Sequence, residues 1–216
     1  MTALFGPSGS GKSQLINLVA GIKISGFSGA CSVFGNNLLK GNERAALEAG
    51  VCFEEEFQEE SFSLFYHLYF VGQLKGLSDA SILRQIFYLA KLLDMEEHLF
   101  KKIKCLSGGN QRKASLSAAL LGGPSLLLVD EPTRSLDPSV SREVLLALHF
   151  FIHSYGKTLL FSSKKREEVM MIADSVIRLP FADATERVLC GNQRLEHSSA
   201  LRVRFKIGEK EHETTI

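Results

Sequence analysis

The sequence predicts an α/β domain with a mainly parallel sheet and an inserted helical lobe, on the basis of three observations. Short apolar runs alternate with segments of helical periodicity, as expected when helices connect parallel strands. Residues 126–129 are an unbroken apolar run, which is typical of a strand buried on both faces. Residues 54–121 show mainly helical periodicity, which predicts the lobe.

The first unit of the core is a strand, a glycine-rich turn and a helix. Residues 1–5 are mostly apolar and end at Gly6, and residues 13–20 have a helical pattern that ends at Gly21. Two further short strands are predicted, within residues 26–35 and at residues 49–53.

The helical lobe begins with an acidic cluster, in which Glu55, Glu56, Glu59 and Glu60 are interpreted as a solvated surface. An aromatic-rich amphipathic stretch follows in residues 62–70. Ser78 or Asp79 can cap the next helix. The apolar residues of that helix recur at helical spacing: Ile82, Ile86, Leu89 and Leu93.

The second half of the core returns to alternating strands and helices. After the strand at 126–129, a helix begins at Pro138. The strands at 158–161 and 175–179 flank a helix over residues 167–173. This alternation again indicates a parallel sheet with helical connections.

The predicted domain organisation follows from these elements. The α/β core comprises residues 1–53 and 122–180, and the helical lobe comprises residues 54–121. Residues 181–216 are a C-terminal extension. Its polar tail, from Lys206 to Ile216, is expected to fray.

Composition and charge argue against several classes of function. The chain has 216 residues with 25 basic and 24 acidic side chains, a net charge of +1, whereas a nucleic-acid partner would require a basic excess or stripe. Its four cysteines show neither zinc spacing nor a disulfide pattern, which favours a reducing compartment. No apolar run approaches the roughly 18 residues of a membrane span. Membrane association is therefore expected through a partner or through segments beyond this sequence.

A phosphate-binding loop is predicted at residues 6–13, which fit G-x-x-x-x-G-K-[ST] between a strand and a helix. The glycines allow backbone N–H groups to turn towards phosphate oxygens. Lys12 would act on the β- and γ-phosphates, as a candidate catalytic residue, and the Ser13 hydroxyl would reach Mg²⁺. The predicted nucleotide-binding residues of this loop are Gly6, Pro7, Ser8, Gly9, Ser10, Gly11, Lys12 and Ser13.

Two acidic residues follow the apolar strand at residues 126–129. In open α/β sheets, ligands bind at the carboxyl ends of the strands. Asp130 is therefore predicted to hold Mg²⁺ together with Ser13, and Glu131 is predicted to polarise an attacking water as a general base.

The ordered set of motifs resembles that of the ABC ATPases, over nearly the whole chain to about Gly191. Residues 106–111 (LSGGNQ) are similar to the family signature, and residues 130–137 contain its second acidic motif and its D-loop. The resemblance implies a P-loop NTPase fold of the ABC type, MgATP hydrolysis and a head-to-tail dimer of two ABC domains. Ser107, Gly108 and Gly109 would then contact the ATP of the partner domain, and Asp137 would belong to the D-loop.

A finer resemblance is to subfamily A, the lipid exporters and flippases. It implies a transmembrane domain in the same or a partner chain, a place at the cytoplasmic face of a membrane, and lipid transport. The segments that carry it are residues 50–52, 67–68, 74–76, 112–113 and 189–191.

The sequence departs from the family at two catalytic positions. Glu54 replaces the glutamine that contacts Mg²⁺ and the attacking water, and Lys164 replaces the histidine that orients this water. Glutamate adds a negative charge, and lysine lacks the two-nitrogen geometry of imidazole. Either the two charges compensate each other across the site, or both positions have decayed and hydrolysis is slow. We favour the second interpretation.

The sequence also begins later than the family pattern does. Members have roughly two further strands before the phosphate-loop strand and an aromatic residue that stacks on adenine, for which this sequence offers no candidate. We therefore expect a fragment of a larger transporter, a truncated reading frame or a shortened protein. Two other functions stay open: a non-hydrolysing regulatory half of an asymmetric transporter, and a soluble ABC protein acting on nucleic acid or ribosomes.

Overall fold

The computed structural model describes residues 1–22, 29–33, 36–37, 49–54, 59, 61–179, 187–189, 201–207 and 210–215. The first half of the chain contains β1 (Thr2–Phe5), α1 (Lys12–Val19), β2 (Gly29–Val33), β3 (Asn36–Asn37), β4 (Ala49–Cys52), α2 (Leu64–Leu74) and α3 (Asp79–Leu92). Two 3₁₀ turns follow, at Glu96–His98 and Ile103–Cys105. The second half contains α4 (Gly108–Leu120), β5 (Leu126–Val129), α5 (Pro138–Ser154), β6 (Thr158–Ser163), α6 (Arg166–Ile172), β7 (Ser175–Arg178), β8 (Arg187–Leu189), β9 (Leu201–Ile207) and β10 (Lys210–Thr215).

The main sheet has the strand order β4-β5-β6-β1-β7-β8. The first five strands are parallel, and β8 runs antiparallel against β7. All four residues of β5 are buried, as an interior strand covered on both faces requires. The predicted α/β fold with a mainly parallel sheet is therefore confirmed.

The two faces of the sheet carry two separate hydrophobic clusters. Alternate side chains of a strand point to opposite faces. Accordingly, Leu126 and Leu128 pack in one cluster with Ile16 of α1, and Leu127 and Val129 pack in the other. The second cluster also contains apolar residues of α4, α5 and α6. The core is therefore a three-layer arrangement, with α1 on one face and these three helices on the other.

Helices α2, α3 and α4 lie within the predicted helical lobe. Leu64 of α2 and Ile86 of α3 are buried in the same hydrophobic cluster as β5. Gly72 lets α2 approach α3 closely, because a Cβ atom at this position would lie 2.7 Å from Ile82 Cγ1. One apolar cluster thus joins the lobe to the sheet, and the lobe boundaries at residues 54 and 121 stay predictions. Among the helices of the described ranges, none has both the length and the apolar character needed to cross a membrane.

A second, antiparallel sheet has the strand order β10-β9-β2-β3. The expectation that residues 206–216 fray is wrong for the described part of that tail, because β9 and β10 pair as a hairpin and β9 also pairs with β2. Apolar and basic residues alternate along residues 201–207, which is the period of a strand. This pattern lies mostly before the tail, and the residues of β10 are polar throughout, so the composition of the tail gave no strand signal.

Candidate functional site

Four loops meet at one edge of the main sheet. Strands β4, β5, β6 and β1 are parallel neighbours, so their carboxyl ends lie at the same edge. The loop after β1 and the start of α1 hold residues 6–13, and the loop after β5 holds residues 130–137. The loops after β4 and β6 begin at Phe53 and Lys164. The segments that the sequence predicts to bind nucleotide or to take part in catalysis therefore lie at one edge of the sheet. The signature, residues 106–111, is the exception.

The backbone of the phosphate loop requires its glycines. Gly9 and Gly11 have φ angles of 78° and 91°, in the left-handed region that side chains other than glycine rarely adopt. Gly6 packs against the backbone of the residue after β7, since a Cβ atom on it would lie 2.1 Å from the Leu179 carbonyl oxygen. Pro7, Ser8 and Gly9 are exposed at the tip of the loop.

Polar groups of the phosphate loop point to an anionic ligand. The Lys12 side chain is buried, and its Nζ donates to the carbonyl oxygens of Gly6 and Pro7 at 2.8 Å each. The buried Ser10 hydroxyl has no hydrogen-bond partner in the described structure. No side chain caps the amides at the start of α1, where Gly11 is the N-cap residue. These groups, with the half-buried Ser13 hydroxyl, fit the phosphates of a nucleotide.

Ser162, at the end of β6, holds both acidic residues of the neighbouring loop. Its hydroxyl donates to Asp130 Oδ1 and accepts from the Glu131 N–H at 2.9 Å. Asp130 and Ser162 are buried, and Glu131 has a φ angle of 50°. The orientation of both acids therefore depends on a strand that is 30 residues distant in sequence. Sequence reasoning did not identify Ser162, although the Ser-Ser pair before Lys164 is a visible polar end to an apolar strand.

The Glu131 carboxyl lies among several charges. Burial raises its pKa above the usual glutamate range, Lys164 and then Lys12 oppose this rise, and Asp130 and Glu168 add to it. The carboxylate form that a general base needs is thus disfavoured by burial and favoured by two lysines. The structure brings Glu131 close enough to both lysines for their charges to act on it.

Glu54 pairs with a residue that the sequence did not single out. Arg134 Nη1 lies 3.2 Å from Glu54 Oε1 and donates to the Glu54 carbonyl oxygen at 2.9 Å. Within the described residues, no ion pair joins Glu54 to Lys164. Arg134 thus pairs with Glu54, and Lys164 opposes the raised pKa of Glu131. Whether Glu54 and Lys164 compensate each other or mark a decayed site stays a prediction.

A buried carboxylate, Glu168, joins the loop after β6 to the loop after β5. Its Oε1 accepts from Thr133 Oγ1 and lies 2.8 Å from Lys165 Nζ. Its Oε2 accepts from Ser163 Oγ at 2.8 Å. This network flanks Lys164 and Glu131 and restrains both loops. The sequence did not predict this network around Glu168, because a glutamate near the start of a helix is usually solvated.

The signature segment lies away from the phosphate loop of its own chain. Ser107 caps α4, its hydroxyl accepting from the Asn110 N–H at 3.3 Å, and Ser107 and Gly108 are exposed. Helix α4 packs against the edge strand β4, which β5 and β6 separate from β1. Gly109 approaches Leu136 of the D-loop, and Asp137 is the exposed N-cap residue of α5.

Comparison with known proteins agrees with this geometry. The sequence profile of the family described as "ABC transporter" matches residues 1–134. The spermidine/putrescine import ATP-binding protein PotA of Fusobacterium nucleatum is 31% identical over 176 residues, which are 81% of this chain and 46% of PotA. The cholesterol transporter ABCA5 of Homo sapiens is also 31% identical over 176 residues, 81% of this chain and 10% of ABCA5. The chain thus spans less than half the length of these relatives.

The fold is also that of a solved cassette. The structure described as the dimeric post-hydrolysis state of the ATP-binding cassette MJ0796 bound to ADP and Pi superposes with a TM-score of 0.79 at 18% identity, covering 89% of this chain and 86% of that one. At this identity the likeness establishes the fold alone. The family follows from the sequence profile, which matches more than half of the chain. The chain therefore belongs to the ABC transporter family and is a domain of its ATP-binding cassette type, an ABC ATPase domain.

Proposed function

We propose that this chain binds MgATP and hydrolyses it slowly to drive transport across a membrane. The observation that carries the proposal is the meeting of the phosphate loop and the two acidic residues at one sheet edge, where Lys12 and Lys164 act on the Glu131 carboxyl. A nucleotide held by this loop would place its terminal phosphate towards Glu131, as phosphoryl transfer to water requires.

Each residue of the proposed site has a separate task. The loop amides and Lys12 would bind phosphate oxygens. Ser13 and Asp130 would hold Mg²⁺, and the Ser162 hydroxyl already orients the Asp130 carboxylate. Mg²⁺ would neutralise part of the negative charge of the phosphates. Glu131, held through its N–H by the same serine, would accept a proton from the attacking water.

Two side chains support slow turnover. Arg134 holds Glu54 by its side chain and its carbonyl oxygen, so this residue is less free to orient a water than the family's glutamine. Lys164 is exposed and can contribute charge, but a flexible ammonium does not fix the position of a water. Positioning dominates phosphoryl transfer, so the loss of one well-placed polar contact commonly costs about 10²–10³ in rate.

A second cassette would complete the site in a head-to-tail dimer. The exposed Ser107 and Gly108 lie at the start of α4, away from the phosphate loop of the same chain. A helix N-terminus with free amides suits an anion, so this end can meet the phosphates held by a partner domain. The similar cassette MJ0796 is described as a dimer. With intact signature residues and altered Glu54 and Lys164, this chain would be the slower half of an asymmetric pair.

An aromatic surface on the lobe suits a transmembrane partner. Phe62 packs edge-on against Tyr66 and Phe70, and Phe65 stacks on Phe100. Most of these rings are exposed, Phe100 by 76% of its surface. Exposed apolar patches of this kind mark interaction sites. A helix of a membrane domain at the cytoplasmic face is the proposed occupant, and lipid is the proposed cargo because the finer sequence resemblance is to subfamily A.

The nucleotide-binding part of the proposal is tested by Lys12→Ala. Loss of the buried ammonium should weaken binding of a fluorescent ATP analogue about 10- to 100-fold, since hydrogen bonds to charged groups contribute about 1.5–3 kcal/mol. The exposed Lys101→Ala is the matched control and should bind normally. Unchanged affinity in a folded Lys12→Ala variant would show that the phosphates bind elsewhere.

The cargo is tested by stimulation of ATP turnover in the full transporter. Vesicles containing cholesterol should increase turnover, whereas spermidine, the cargo named for the relative PotA, should not. Stimulation by spermidine alone would reverse the assignment of cargo. Absence of turnover at this site, with normal ATP binding, would instead favour the regulatory half of an asymmetric transporter.

A further inference from the structure

We propose that Arg112 is a positioning residue that couples the signature helix α4 to the catalytic edge of the same chain. Its side chain is 1% exposed. Nη1 donates to the Phe53 carbonyl oxygen at 2.5 Å, and Nη2 donates to the carbonyl oxygens of Asp130 and Glu131, the latter at 3.1 Å. One guanidinium thus joins a helix to the ends of two strands.

The chemistry of these contacts indicates a geometric role. Burial of a cation away from water is unfavourable unless strong acceptors compensate it. Every hydrogen bond that the described structure gives Arg112 goes to a backbone carbonyl, and Nε has no partner there. An apolar side chain would fill the same volume without this penalty. Neither an apolar residue nor a lysine can reproduce the planar fork of the guanidinium, which donates to three carbonyl oxygens at once.

The bonds of Arg112 converge on the residues that would perform hydrolysis. Phe53 directly precedes Glu54. Glu131 is held on both sides, by Ser162 through its N–H and by Arg112 through its carbonyl oxygen. Its φ angle of 50° is unfavourable for a residue with a side chain, so its orientation depends on such restraints. A displacement of α4 would therefore move the Glu131 peptide directly.

This inference rests on the proposed head-to-tail dimer. Ser107 lies five residues before Arg112, about 7.5 Å along the helix axis at 1.5 Å per residue. In the dimer, the start of α4 would contact the partner's nucleotide, whereas Glu131 acts on the nucleotide of its own chain. Arg112 would then transmit occupancy of one ATP site to the general base of the other.

The test compares Arg112→Lys and Arg112→Gln with Lys113→Gln, a buried residue next to Arg112 on the same helix. Hydrogen–deuterium exchange is followed in a chain that carries Lys12→Ala, paired with an isotope-labelled unmodified partner, with and without Mg²⁺ and AMP-PNP at a concentration that fills the partner's site alone. In this background, with Arg112 intact or with Lys113→Gln added, nucleotide should change exchange in residues 107–113 and in 130–134. In both Arg112 variants, the first change should persist and the second should be lost.

Steady-state kinetics give the second measurement. The Arg112 variants should lower kcat for ATP at least tenfold, with less than a twofold change in the Kd for the ATP analogue, because the phosphate loop is untouched. A nucleotide-dependent change that persists in residues 130–134 of the variants, or an unchanged kcat, overturns the coupling. Absence of any nucleotide-dependent change in the unmodified chain would instead overturn the proposed function, and this inference with it.

Discussion

The phosphate loop and the loops around Glu131 share one sheet edge but are built in different ways. The phosphate loop is largely self-contained, since Lys12 bonds to Gly6 and Pro7 within the same eight residues. The environment of Glu131 is assembled from distant segments, which include Ser162 of β6 and Arg112 of α4. The proposed nucleotide binding would therefore depend on local sequence, whereas the proposed hydrolysis would depend on tertiary contacts that single residues can alter.

The largest effect is expected from Glu131→Gln, which removes the proposed general base and keeps the shape of the side chain. Turnover at this site should fall by about 10²–10³, with ATP affinity unchanged, because the phosphate loop does not use this carboxyl. The measurement is phosphate release alongside equilibrium binding. A variant that hydrolyses at the unmodified rate would remove Glu131 from the mechanism.

Next in size is the gain from Glu54→Gln combined with Lys164→His, which restores the family residues around the attacking water. Turnover should rise by up to about 10², the inverse of the cost of losing one oriented contact. The single variants serve as controls. If the unmodified domain, paired with an active partner, already matches the double variant, then Glu54 and Lys164 are working substitutes and hydrolysis is not impaired.

A smaller effect concerns pH. The base must be ionised, so turnover should rise with pH through the raised pKa of Glu131. Lys164 is the strongest charge opposing that rise, and Lys164→Met should raise the pKa further and move the rising limb of the kcat–pH profile to higher pH. Lys91→Met, an exposed position on α3 that does not act on Glu131, is the control. If the rising limb of the kcat–pH profile does not shift in Lys164→Met, Lys164 does not face Glu131 during turnover.

The smallest effect is expected from Arg134→Gln. The pair with Glu54 is about half exposed, and ion pairs of this kind contribute about 0–1 kcal/mol to stability. The free energy of unfolding by urea should therefore change by less than about 1 kcal/mol, while the released Glu54 changes kcat. A much larger loss of stability would mean that this arginine supports the fold and does not merely restrain Glu54.

Much of the fold could be predicted from the sequence, because its strands are short apolar runs separated by helices of clear periodicity. The predicted strand at residues 126–129 has the same bounds in the structure, and the other predicted elements of the core differ by only a few residues at their ends. Strands β3, β8, β9 and β10 were not predicted, and the tail at residues 206–216 was misjudged because the residues of β10 are polar throughout. A partner strand such as β2, about 170 residues earlier, leaves no local signal.

The sequence by itself determined the phosphate loop and the two acids, since glycines, lysine and carboxylates at fixed spacings have few other uses. Their roles stay predictions. Only the tertiary structure decided that Arg134 pairs with Glu54, and that Lys164 lies near enough to Glu131 to oppose the rise in its pKa. Electrostatic and hydrogen-bond contacts act over a few ångströms in space, and strand order sets those distances without regard to separation along the chain.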